Sequence, residues 1–182
     1  MNGLLYLLLA RLTLEPQSGY DLTQWIKHAA HHFWAADHSS IYPSLAKLND
    51  RGFVTFETQS SERGPKRKVY SITEAGRQVL MEWVSLSPAE AEIRDEQMVK
   101  ALCYDLIPAT QAIFHLQLTR ERYLEKLTWL NEAIRLLDDK NTRPVYFSHL
   151  GIRLTIRRGI LAASAYISWC DEAISLMKEG ND

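Results

Sequence analysis

The stretch "HSSIYPSLAKLNDRGF", residues 38–53, carries the most structural information in this chain. It opens on polar residues, with Ser39 or Ser40 available as a helix cap. Ile41, Leu45 and Leu48 follow at helical spacing and form an inward face. Gly52 stands where a left-handed residue closes a helix, and the chain turns apolar again behind it. A helix this short does not stabilise itself in water, so its neighbours must hold it from one side. The other side carries Ser40, Pro43, Ser44 and Lys47, small or basic residues that allow close approach to a surface.

On the N-terminal side, Leu5, Leu8, Leu9 and Leu12 share one face of a first helix that Pro16 ends. Ser18 and Asp21 have the spacing of a capping box, and Leu22, Ile26, Ala29 and Phe33 mark a second helix. Behind Gly52 the period becomes two. "FVTFETQ" places Val54 and Phe56 on one face, "KVYSI" places Tyr70 and Ile72 likewise, and "SSERGPK" is a charged Gly-Pro turn between them. This is a β-hairpin with a partly basic tip. Thr73 caps a fourth helix carrying Val79, Leu80 and Trp83.

Ser87 as cap, Pro88 at the first helical position and Glu90 predict a new helix and a domain boundary, giving domains 1–87 and 88–182. The second domain reads as helix, interrupted at Pro108 and around residues 138–144. Ile113, Leu116, Arg120, Tyr123, Leu127, Leu130, Ile134 and Leu137 step by three and four alternately, a heptad seam. Ile152, Ile156, Ile160, Ala163, Ile167, Cys170, Ile174 and Met177 form a second stripe. The two helices can cover each other once, and a seam this long implies a second chain as well. The fold class is therefore mainly α with a small β-hairpin wing: a winged helix-turn-helix followed by an antiparallel, coiled-coil-like helical dimerisation domain.

The 182 residues suffice for one ordinary domain or two small ones. A formal net charge of −1 says nothing about a polyanionic partner, so any such case rests on local charge. Cys103 and Cys170 are far apart without metal-type spacing, which suits a reducing cytoplasm. The apolar start "MNGLLYLLLARLTLEP" lacks a basic leader and meets Arg11 early, so it reads as a buried helix instead of a signal peptide or membrane span. His28 and His32 share a helical face with His31 and His38 nearby, but no carboxylate or cysteine completes a metal set. No Gly-x-Ser-x-Gly, Walker loop or Cys-His spacing points to an enzyme, and no cofactor is expected.

Hydroxyls and Lys47 on the outer side of the third helix suit a DNA major groove, where they reach phosphates and base edges. The hairpin tip, with Arg63, Lys66, Arg67 and Lys68, supplies charge where a wing meets the backbone. The same fold also serves as a protein-docking module, and pattern alone leaves both readings open.

"SGYDLTQWI" (18–26), "FWAADHSSIYPSLAKLNDRGFVTF" (33–56) and "RKVYSITEAGRQVLMEWV" (67–84) resemble the PadR family of bacterial transcription regulators. That family has a Gly-Tyr-Asp/Glu helix start, a Ser-x-Ile-Tyr-Pro-x-Leu recognition helix and a Tyr-x-x-Thr-x-x-Gly segment after the wing, all present here in order. "YISWCDEAI" (166–174) resembles the end of the dimerisation domain of its longer members. The resemblance implies a homodimeric, cytoplasmic repressor on double-stranded operator DNA. It assigns Ser39, Ser40, Tyr42, Pro43 and Lys47 to the DNA-reading helix, and His38, Tyr20 and Thr23 to phosphates.

"RPVYFSHLGIRLTIRRG" (143–159) sets Tyr146, Phe147 and His149 beside Arg153 and Arg157. Guanidinium groups pair with a carboxylate and aromatic faces cover a ring; packed aromatics beside an exposed charged helix face are the other reading. Resemblance to the family's phenolic-acid-responsive repressors favours a small aromatic acid as effector, bound between the two domains, with Trp169 included among its contacts.

Overall fold

The computed structural model describes residues 1–30, 33–34, 38–61, 64–88, 90, 94–138 and 149–179, without the side chains of residues 29, 38, 60, 61, 64, 65 and 149. The chain divides into two compact units, Met1–Ala89 and Glu90–Asp182.

The first unit begins with α1 (Gly3–Leu12), capped by the Asn2 side chain, which accepts from the Leu5 N–H at 3.2 Å. A two-residue strand β1 (Gln17–Ser18) leads into α2 (Gly19–Trp25). The capping box forms: the Ser18 hydroxyl accepts from the Asp21 N–H at 3.2 Å, and the Asp21 carboxylate accepts from the Ser18 N–H at 3.3 Å. α2 then widens into a π-helical turn, Ile26–Ala30. That wider winding moves the inward position: Leu22, Ile26 and Ala30 are buried, whereas Phe33, expected on the core face, is exposed.

α3 (His38–Asp50) starts earlier than expected, so Ser39 and Ser40 lie in its first turn instead of capping it. Its end has the expected form. Gly52 takes φ 71°, its N–H donates to the Asn49 carbonyl at 2.8 Å, and the Phe53 N–H donates to the Leu48 carbonyl at 3.0 Å. These are the paired bonds of a Schellman motif. Ile41, Leu45 and Leu48 join Leu5, Leu8, Leu9, Leu12 and Leu22 in one core.

β2 (Val54–Ser61) and β3 (Gly64–Ile72) form the antiparallel wing, and β1 adds to the other edge of β3, giving sheet order β1-β3-β2. α4 (Glu74–Ser85) follows, with Trp83 stacked on Tyr6 at 4.2 Å. Its start explains the Tyr-x-x-Thr-x-x-Gly spacing. Tyr70 is buried in the core. The Thr73 hydroxyl accepts from the Gly76 N–H at 3.0 Å and donates to the Gly52 carbonyl at 2.7 Å. A Cβ at Gly76 would meet the Phe53 carbonyl oxygen at 2.1 Å, so only glycine lets α4 lie this close to the end of α3.

In the second unit the helix expected at Ser87–Pro88 does not form there; both residues are non-helical and α5 runs Glu96–Ala101. Asp95 caps it, accepting from the Gln97 N–H at 3.0 Å and from the Tyr166 hydroxyl at 2.8 Å. A cap anchored by a distant tyrosine outweighs a purely local signal. Burial, then the bond to Asp95, raise the Tyr166 pKa far above the ordinary phenol value, so it remains a donor.

A short 3₁₀ turn, Tyr104–Leu106, precedes the long helices α6 (Ala109–Asp138) and α7 (His149–Glu179). They pack antiparallel: Arg120 pairs with Asp171 at 2.6 Å near one end, and Arg153 pairs with Asp138 at the other. Tyr123 stacks on Tyr166 at 4.0 Å between them. Every residue of both stripes is buried or half-buried, as the seams require. Among the described residues no helix is long and apolar enough to cross a membrane.

Candidate nucleic-acid interface

α3 is positioned by its buried face, which leaves Ser39, Tyr42, Pro43 and Lys47 exposed on the other side. Ser40 is half-buried, and its carbonyl accepts from the Ser44 hydroxyl at 2.7 Å. Pro43 has no N–H to donate to the Ser39 carbonyl, so the first turns of α3 keep a backbone acceptor without its helical donor.

A cleft of about 520 Å³ separates α3 from the wing. It is lined by Gly19 and Tyr20 at the start of α2, Tyr42 and Ala46 of α3, and Lys66, Arg67, Lys68 and Tyr70 of β3. Three wing cations thus border the same cleft as Tyr42 and Ala46 of α3, whereas Ser39, Ser40, Pro43 and Lys47 do not line it. Tyr42 reaches back over α2, where a Cβ at Gly19 would come within 2.6 Å of its ring. Burial, with Tyr42 nearby, raises the Tyr70 pKa, so that phenol stays neutral. The Lys68 ammonium sits 4.1 Å from the centre of the Phe56 ring.

Tyr20 is exposed at the rim of this cleft. Thr23, expected at a phosphate, is buried instead, and its hydroxyl donates to the Gly19 carbonyl at 2.7 Å. Arg63 and the His38 side chain lie outside the described residues. The sequence places Gly19 at a helix start and Phe56 on one face of the hairpin, but assigns neither to the interface. The signal for Phe56 was the two-residue period of the hairpin, which sets Phe56 opposite Tyr70 and diagonal to Lys68.

The effector candidates separate. Tyr146, Phe147 and the side chain of His149 lie outside the described residues. Arg153 and Arg157 are exposed one turn apart on α7. Trp169 is half-buried against Tyr166, at 5.5 Å. At about 1.5 Å per residue, it lies about 18 Å along α7 from Arg157, so one chain does not bring the two to a single one-ring ligand. Of the histidines weighed and set aside as metal ligands, His31 and His32 lie outside the described residues, and no group of three or more metal-binding side chains occurs among those described.

The chain matches two family descriptions: "Transcriptional regulator PadR-like family" over residues 8–82 and "Virulence activator alpha C-term" over residues 93–178. It is 31% identical to the negative transcriptional regulator PadR of Bacillus subtilis, over 97% of this chain and 98% of that one. The chain belongs to the PadR-like family of transcriptional regulators. Two solved structures of the Bacillus protein are similar over its length. One, in complex with operator DNA, has a TM-score of 0.83 at 28% identity, covering 97% of this chain and 99% of that one. The other, in complex with p-coumaric acid, has a TM-score of 0.77 at 30% identity, covering 96% and 98%. The PadR-like assignment makes this a DNA-binding transcriptional regulator and not an enzyme.

Proposed function

We propose that this PadR-like regulator is a cytoplasmic, homodimeric repressor that leaves its operator when a small phenolic acid binds. The observation that carries the reading is the shared cleft, where Tyr42 and Ala46 of α3 and three wing cations border one space. In this reading Ser39, Ser40, Tyr42, Pro43 and Lys47 enter a major groove. Tyr20, His38, Arg63, Lys66, Arg67 and Lys68 meet phosphates on either side, so binding weakens steeply with salt. Thr23 supports the start of α2 from inside and touches no DNA.

Homodimerisation through the second unit is supported by Leu150, Leu154, Leu161 and Leu176, which are exposed on one side of α7. The twofold axis makes the operator roughly palindromic, with half-sites about one or two helical turns apart.

The effector class is supported by the Bacillus relative solved with p-coumaric acid. On this chain the exposed Arg157 is the group for its carboxylate, with Tyr146, Phe147 and His149 supplying ring and polar contacts. A different effector, or none, is the second reading. The Arg153–Asp138 pair favours it, because that guanidinium already has a carboxylate partner.

The test is binding to DNA upstream of the protein's own gene and its neighbours at physiological salt, with and without a panel of phenolic acids. Specific binding released by one acid supports both operator and effector. Specific binding that no acid releases removes the effector, and no preference over random DNA removes the operator. Arg157→Ala is expected to keep operator affinity while blunting release; unchanged release removes the carboxylate clamp.

A further inference from the structure

The wing carries an aromatic chain that contact with DNA does not by itself require. Phe56 of β2 and Tyr70 of β3 are direct cross-strand partners, with ring centroids 5.6 Å apart and planes at 53°. Tyr70 is buried and lines the cleft together with Tyr42 of α3. Tyr42 in turn lies against Gly19, where even a methyl group would collide with its ring. At the other end of the chain, the Lys68 ammonium rests on the Phe56 ring at 4.1 Å. The series therefore runs from a wing cation, through two paired strand residues, to the recognition helix and the start of α2.

A lysine is a poor fixed point when it is left alone. Its four-carbon stem loses considerable rotamer entropy whenever the ammonium must sit in one place. An aromatic face under the ammonium reduces that loss before any ligand arrives, and attracts the charge through the ring quadrupole. It leaves the ammonium N–H groups on the cleft side available to a phosphate oxygen. Phe56 is itself held by Tyr70, so the position it gives Lys68 is referred to α3 and not to the hairpin tip.

We propose that Phe56 is a positioning residue for DNA reading: it presets Lys68 at a defined place relative to α3, so that phosphate contact and base reading are made in one register. This rests on the reading of the cleft as the DNA-contacting face. The phosphate itself is the ligand, and Phe56 touches it only through Lys68.

The experiment measures operator affinity against salt for the full chain and for Phe56→Leu, Phe56→Tyr, Lys68→Met and Phe56→Leu/Lys68→Met. Leucine keeps an apolar side chain at this wing position and removes the ring face; tyrosine keeps the face. Phe56→Leu is expected to lose about two- to five-fold in operator affinity, the range of an exposed cation–π contact, with the salt slope unchanged because Lys68 still reaches its phosphate. Phe56→Tyr is expected to bind like the parent. Lys68→Met is expected to reduce the slope of log affinity against log salt by about one. In the Lys68→Met background, Phe56→Leu should add no further loss, because the ring then has no ammonium to place.

Parent-like or tighter binding by Phe56→Leu overturns the proposal, as does failure of tyrosine to restore affinity or an equal loss with and without Lys68. An unchanged salt slope in Lys68→Met strikes the underlying reading of the wing as a phosphate contact. That result is separate from the behaviour of Phe56.

Discussion

The two units solve the problem of a core in different ways. In the first, short elements converge on one interior. Leu5, Leu8, Leu9, Leu12, Leu22, Ile41, Leu45 and Leu48 are almost wholly buried within a single chain. In the second, two helices of about thirty residues share one seam, and most of the buried residues fall into two small clusters around Leu116 and Leu130. Meanwhile Leu102, Leu106, Leu150, Leu154, Leu161 and Leu176 are more than half exposed. Two helices lying side by side bury one stripe each, however long they are. A third or fourth helix is needed to bury the rest. The first unit gathers one core in a single copy and leaves apolar side chains such as Met81, Val84 and Leu86 exposed only outside it, whereas the long helices of the second leave apolar surface beside their own seam.

The most severe test of this contrast truncates one side chain in the core of the first unit. Leu45 has no exposure and lies on the inner face of α3. Leu45→Ala is expected to cost about 2–5 kcal/mol, from lost burial and the cavity left behind. The loss should fall on the thermal or denaturant stability of the first unit at any protein concentration, and operator binding should fall with it. A change under about 1 kcal/mol would mean that this core relaxes around the gap, and that α3 is held by something besides it.

The second unit should answer differently. Leu161 is 58% exposed on α7 and has little to lose within one chain. Leu161→Glu is expected to leave the helix content of dilute protein unchanged while weakening association. The effect is about 1.5–3 kcal/mol if that leucine is buried against a second copy. Sedimentation across a concentration series reads it directly, because stability linked to assembly varies with concentration. A variant that assembles like the parent would place the dimer contact on another face.

The same contrast accounts for what was legible in the sequence. The first unit could be read almost residue by residue because its signals are local and mutually consistent. Ser18 and Asp21 cap α2, Gly52 closes α3 and Thr73 caps α4, each through atoms a few residues away or at an adjoining turn. Both long seams were legible for the same reason, since a heptad repeat is a local pattern. The π-helical turn at Ile26–Ala30, the pairing of β1 with β3 and the delayed start of α5 at Glu96 were not legible. The last two depend on partners far along the chain, Val69 and Tyr70 for β1 and Tyr166 for Asp95. At the interface, residue types on α3 and β3 could be assigned, but not which of them share a cleft. Thr23 shows why: the resemblance assigns it to a phosphate, yet the fold buries it and satisfies its hydroxyl inside its own helix.

The smallest effects probe the contrast at the level of single polar contacts. Ser18 caps α2 from a buried position, and its hydroxyl both accepts from the Asp21 N–H and donates to the Asp21 carboxylate at 2.7 Å. Arg120 and Asp171 tie α6 to α7 at 2.6 Å, with side chains 36% and 52% exposed. The ion pair is the shorter contact and links elements far apart in sequence, so geometry alone would rank it first. Solvent reverses that order. Water screens both charges and the long arginine side chain loses freedom, which leaves an exposed pair about 0–1 kcal/mol. Removing the cap leaves a helix donor without its partner in a partly closed site, about 0.5–2 kcal/mol. Ser18→Ala is therefore expected to destabilise the first unit more than Arg120→Ala destabilises the second. The difference should widen with added salt, which weakens only the ion pair. Equal losses in high salt would show that Arg120 acts through the packing of its stem along the seam and not through its charge.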